Sequence, residues 1–150
     1  MLAEDEEALQ RLIETYGAAA LRQELTTSSA NDALTLTIVA NAGLHPLPTD
    51  FIKGELYIAS EGNLDFSTTQ TVEAEINKIL SRVRKKLKEK RWASVLLVPF
   101  GHSVVSMNIK MAVFRTIRIE TVDLFYFGEG RYGEVAIDTR ALMLEDSREG

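Results

Sequence analysis

Residues 94–100 read Ser-Val-Leu-Leu-Val-Pro-Phe, a run with no polar side chain after its first position until Gly101. A strand with one wet face alternates apolar and polar residues. A run that is apolar on both faces has to be covered on both, which describes a central strand of a sheet flanked by other elements. The segment just before it supplies one such cover. Val72, Ile76, Ile79, Leu80, Val83 and Leu87 recur at i, i+4, i+7, i+8, i+11 and i+15, the stripe of a helix lying on a sheet, and Ser67-Thr68-Thr69-Gln70 reads as its entry.

The other elements are placed around this pair. Residues 34–40, LTLTIVA, are β-branched and partly alternating, and they end in Asn41-Ala42-Gly43 and a loop with Pro46 and Pro48, so they read as a strand. Residues 54–60, GELYIAS, predict a second short strand that turns at Glu61-Gly62-Asn63. The segment 102–117 also alternates as a strand would around Ser106 to Met111, but a glycine between an apolar strand and a long apolar stretch favours a crossover helix. Residues 121–127 and 132–138 predict two strands joined through Gly128-Glu129-Gly130-Arg131 as a hairpin. Ahead of all this, Leu9, Leu12, Ile13, Tyr16, Ala19, Ala20 and Leu25 have roughly helical spacing behind Glu4 to Glu7, which predicts an N-terminal amphipathic helix and, with 26–33, a linker.

The expected architecture is α/β: a mixed, mostly parallel sheet flanked by helices, Rossmann-like, preceded by the N-terminal helix. In domain terms this is 1–33 helix and linker, 34–143 a single α/β domain, and 144–150 a polar tail. A chain of 150 residues with 45% hydrophobic content fills one core. The first residues, MLAEDEE, are acidic where a secretory leader is basic, and no apolar stretch approaches the ~18 residues of a membrane span, so a cytoplasmic protein is expected.

Charge and cysteine content narrow the chemistry. A net charge of −5 disfavours binding to long nucleic acid over the whole surface. Absence of Cys, with His45 and His102 as the two imidazoles, removes thiol nucleophiles and predicts no metal and no cofactor. Eight of the 17 Lys and Arg residues, from Lys78 to Arg91, fall on the far side of the helical stripe, and read as a solvated face with an anion-binding edge as the alternative. No nucleophile elbow, phosphate loop, dinucleotide fingerprint or EF-hand spacing occurs.

In an open α/β sheet, ligands sit beyond the carboxyl ends of central strands, where helix-initiating amides attract phosphate. Asn41 and Gly43 follow one such strand, and Gly101, His102 and Ser103 follow another. Glycine permits close approach of a ligand to the backbone, serine donates a hydroxyl hydrogen bond, and histidine stacks on a base or bonds phosphate. A glycine after a strand is more often just the mark of a tight turn.

From Thr71 to Thr139 the order of TVEAEINKILSRVRKKLKEKRWASVLLVPFG, a buried helix, VDLFYF and RYGEVAID resembles the later half of a SAVED domain and, more broadly, the CARF-type nucleotide-sensing fold of CRISPR and anti-phage systems. LTLTIVANAG is similar to that family's opening strand and ligand-side loop, so the resemblance spans 34–139. It implies a sensor or sponge for a cyclic oligonucleotide second messenger, held by Asn41, Gly43, Gly101, His102 and Ser103 with Lys110 and Arg131 against phosphate. Since the chain has room for one CARF-like unit, the resemblance also implies a homodimer or a partner effector chain. Gly101-His102 stands where the family shows Gly-Pro, which implies shallower ligand entry. Two alternatives belong to other classes: a metal-independent ring nuclease using His102 or, as a less expected choice, His45, and a protein-binding scaffold acting through the N-terminal helix and the basic face.

Overall fold

A computed structural model of the chain describes residues 34–149. The expected N-terminal helix and linker lie outside the described residues. The strands are β1 (Thr35–Val39), β2 (Glu55–Ile58), β3 (Ser94–Val98), β4 (Val122–Gly128) and β5 (Arg131–Val135), and the helices are α1 (Thr69–Leu87), α2 (Ser103–Ile117) and α3 (Thr139–Glu149). A 3-10 turn at Thr49–Phe51 interrupts the β1–β2 connection.

The strands form one sheet in the order β2-β1-β3-β4-β5. The first four are parallel to their neighbours and β5 returns antiparallel to β4, so the α/β class and the mostly parallel mixed sheet hold and are compatible with a Rossmann-like arrangement. After β1 the chain moves outward to β2 and then crosses back to β3 on the other side of β1. The β1/β3 boundary is therefore the topological switch point.

Both long helices lie on one face. Ile76, Ile79, Val83 and Leu87 of α1 and Val105, Ile109 and Val113 of α2 close over Leu36, Ile38, Val95 and Leu97 in one core. In α2 these three residues stand at i, i+4 and i+8, whereas Met107 and Met111, which gave the segment its strand-like alternation, are exposed. The helix prevails because β4 is parallel to β3 and can be reached only by a crossover. Thr68 caps α1: its hydroxyl accepts from the Thr71 amide at 3.1 Å, and the Thr71 hydroxyl accepts from the Thr68 amide at 3.0 Å. On the opposite face Val39, Val98 and Leu124 are covered by Leu47 and Phe51 of the β1–β2 connection together with Phe100 and Tyr132.

One boundary differs from expectation. Residues 139–149 form α3, where the sequence predicts the end of the domain and a polar tail from 144. Asp138 starts this helix, its carboxylate accepting from the Ala141 amide at 3.1 Å. The apolar stripe that usually signals a helix is missing because Leu142, Met143 and Leu144 are consecutive and all exposed. Among the described residues no helix is long and apolar enough to cross a membrane.

Candidate functional site

The β3–β4 ladder covers Leu96 and Leu97 against Val122 and Asp123 and then stops. β4 continues to Gly128, paired only with β5, so the β4–β5 hairpin stands as a wall beside the carboxyl ends of β1 and β3. Where β3 and β4 part, a cleft of about 590 Å³ opens. Its sides are His45, Pro46, Leu47 and Pro48 after β1, Pro99, Phe100 and Gly101 after β3, and Tyr126, Gly130 and Tyr132 of the hairpin.

The lining is a chain of rings. His45 meets Phe100 edge-on at 5.4 Å between centroids, Phe100 lies 6.3 Å from Tyr132, and Tyr132 lies 5.0 Å from Tyr126. Phe51 supports Tyr132 from behind at 5.9 Å. Tyr126 and Tyr132 are directly opposed across the antiparallel ladder, which sets both rings on the same side of the hairpin. The turn that joins the strands has positive φ at Glu129 (54°) and Gly130 (73°), the geometry that matches the twist of a hairpin, and the Gly130 amide donates to the Tyr126 hydroxyl at 3.2 Å.

The residues predicted from sequence divide into several groups. Asn41 is buried, at 2% exposure, and bound at both ends: its amide nitrogen donates to the Gly62 carbonyl at 2.9 Å, and its oxygen accepts from the Ser60 hydroxyl at 3.1 Å. It fastens the loop after β1 to the loop after β2. Gly43 stands at φ 95° in the same closure, where the Gly62 amide donates to the Ala42 carbonyl at 2.7 Å. Gly101 lines the cleft, but its φ of 87° and its position against Asn41 explain the glycine without a ligand. A Cβ there would lie 2.8 Å from the Asn41 Cβ. Gly101→Val is therefore a test of the fold as much as of ligand approach.

His102 is the residue before α2, and its ring packs on Phe66 at 4.7 Å rather than in the aromatic cleft. Ser103 is the exposed first residue of α2, two positions after Gly101, so the unpaired amides of that first turn belong to the same edge of the sheet. Lys110 is engaged elsewhere: its ammonium donates to the Thr121 hydroxyl at 2.7 Å and to Asp123 at 2.8 Å, tying α2 to the start of β4. Arg131 stands between Gly130 and Tyr132 of the lining but is not part of it; it is exposed, and strand alternation turns it to the face opposite Tyr132. The structure thus brings Gly101 to the cleft, sets Ser103 beside it, leaves Arg131 exposed outside the lining, and engages Asn41, His102 and Lys110 in structural contacts.

Phe100, Tyr126 and Tyr132 are not among the residues predicted from sequence, although Tyr126 and Tyr132 fall in VDLFYF and RYGEVAID, two of the segments that carry the resemblance. His45, the less expected of the two histidines, is the one that lines the cleft. No Asp, Glu, Lys or Arg side chain is part of the lining, so the cleft offers ring faces, backbone groups and hydroxyls more than charge. Among the described residues no group of three or more His, Asp or Glu side chains is placed to hold a metal ion. Comparison of the chain with protein-family models, with curated proteins and with solved structures gives no match.

Proposed function

We propose that the chain is a binding module for a cyclic oligonucleotide second messenger, acting as sensor or sponge in prokaryotic anti-phage or CRISPR defence. The observation that carries this reading is the ring-lined cleft at the carboxyl edge of a parallel sheet, bordered by the loops after β1 and β3. Every nucleobase has a π-face, and stacking on an aromatic side chain is worth ~1–3 kcal/mol per base, so Tyr132, Tyr126 and Phe100 form a surface for bases. Phosphate is met by the first-turn amides of α2 rather than by a buried cation. A cleft of about 590 Å³ is in the small-molecule range and accepts one part of a ring. A second copy across a twofold axis would complete the site, which is why the reading includes a homodimer.

The test is a thermal-shift panel of cyclic di-, tri- and tetranucleotides, followed by light scattering and chromatography of any hit. The sensor or sponge reading expects a raised Tm, a dimer mass and an unchanged ring. A linear product would turn the reading to a ring nuclease, with His45 as the cleft's imidazole for proton transfer. A monomer at every concentration that responds to no ring would overturn both.

A further inference from the structure

The basic residues of α1 and of the segment that follows it differ in what they meet. Lys78 pairs with Glu75, Lys86 with Glu55 and Glu89, and Lys90 with Glu55, while the Arg82 guanidinium donates to the Ala59 carbonyl at 3.0 Å. Arg84 and Lys88 have no such partner among the described residues, and neither has Arg115 of α2. These three line one groove of about 380 Å³ between the two helices, and no carboxylate is part of its wall.

The two helices present matching rows. Leu80, Arg84 and Lys88 follow at i, i+4 and i+8 and so share one side of α1 and its C-cap. Met111 and Arg115 stand at i and i+4 on α2. Cations near a helix C-terminus are favoured by the helix dipole, which accounts for their presence in these last turns. The dipole acts all round the turn, and Lys85 and Arg91 are without a partner among the described residues as well, but it does not account for Arg84 and Lys88 sharing one groove with Arg115 of a second helix. Like charges gathered without a counter-charge repel one another, and a bound anion removes that cost.

We infer that this groove binds a compact polyphosphate, inorganic or carried by a nucleotide, at a site separate from the aromatic cleft. Two guanidinium forks and one ammonium suit several phosphate oxygens at close quarters. The apolar floor of Leu80 and Met111 supports the aliphatic stems that hold those heads in place. A chain with a net charge of −5 and a groove this small favours a short anion over an extended nucleic acid.

The experiment is isothermal titration of the whole chain with inorganic tripolyphosphate and, in parallel, with ADP. Binding of tripolyphosphate is expected, weakening as salt rises. Arg84→Gln and Arg115→Gln should each weaken it by about tenfold or more, and Lys85→Gln, an exposed neighbour outside the groove, by less than about twofold. Equal affinity for ADP and tripolyphosphate would assign recognition to the phosphate chain, and tighter ADP binding that remains sensitive to both arginines would add a base contact on the apolar floor. Because these residues are exposed, an unchanged Tm shows that the variants are folded. Failure of both probes to bind overturns the proposal, as does binding that ignores Arg84 and Arg115, or binding that Tyr132→Ala abolishes. The last outcome would place the anion in the aromatic cleft and leave the cyclic-nucleotide reading standing without this one.

Discussion

Two groups of residues at the carboxyl edge of the sheet lie side by side and are used in opposite ways. Around Asn41, Ser60, Gly62 and Gly101 every polar side chain is turned inward: amide to carbonyl, hydroxyl to amide oxygen, glycine packed against asparagine. Around Phe100, Tyr126 and Tyr132 the rings turn outward to line a cleft, and Tyr126 is 53% exposed. The first group closes the sheet's loops and the second leaves a surface for a ligand. Polar residues after a strand therefore mark a site only if the fold leaves their hydrogen-bonding groups unspent.

The strongest way to break this comparison is to show that the closed group is dispensable. Gly101→Ala should lower stability by about 2–4 kcal/mol, combining the left-handed backbone with displacement of the buried Asn41. Asn41→Ala should cost about 1–3 kcal/mol, since it strips the Gly62 carbonyl of its amide partner and leaves a gap in the buried closure, while the Ser60 hydroxyl keeps the Ala40 carbonyl at 2.6 Å. Urea denaturation monitored on Trp92 measures both. A loss below about 0.5 kcal/mol for the two variants would mean that these residues are held for a ligand after all.

The same contrast explains what was legible in the sequence. α1 and β3 were readable because one long periodic stripe and one doubly apolar run have few alternative solutions, and their observed limits fall within the predicted segments. The strand ends were correctly located as well. What could not be read was the direction of each side chain there. Asn41 finds its partners some twenty residues away, at Ser60 and Gly62, and Lys110 finds Thr121 and Asp123, contacts that exist only after the sheet has formed. The cleft wall was hidden for a related reason. Tyr126 and Tyr132 looked like two aromatic residues in a hairpin, and only the early end of the β3–β4 ladder separates them from β3 and makes them a lining.

On the open side, Tyr132→Ala should weaken binding of any cyclic oligonucleotide identified by the panel by about tenfold or more, the loss of a stacking face. Tyr126→Ala should do the same with less effect on the fold, because its ring is the more exposed of the two. Isothermal titration beside a melting curve separates the effects. Loss of stability without loss of affinity would show that the rings serve the sheet alone.

The two histidines sharpen the comparison further because they are one residue type with two placements. His102→Ala removes a ring from Phe66 and should cost about 0.5–1.5 kcal/mol of stability with affinity unchanged. His45→Ala removes a ring from the cleft and should weaken binding several-fold with little change in Tm. An exchange of these outcomes would move the site from the hairpin wall to the start of α2.

The smallest effect belongs to a closed polar group elsewhere, where Lys86 of α1 meets Glu55 of β2 at 2.7 Å. The Lys86 ammonium beside it holds the Glu55 carboxyl below its ordinary value of 4.5, against the opposing push of desolvation. The carboxylates of Glu55 and then Glu89 raise the Lys86 ammonium above its ordinary 10.5. A depressed carboxyl adds stability that is present above its unfolded pKa and is lost as pH falls through the lower folded one. A raised ammonium adds stability that is present below its unfolded pKa and is lost as pH climbs through the higher folded one. The pair should therefore stabilise the fold between those two limits and contribute less beyond either. Lys86→Gln removes the carboxyl's strongest stabilising partner, so its urea midpoint should fall less than that of the parent chain between pH 7 and pH 3, by a margin that partial exposure of Glu55 keeps small. Equal acid slopes for the two proteins would show that this ion pair is geometric only, and that closure on α1 is weaker than closure around Asn41.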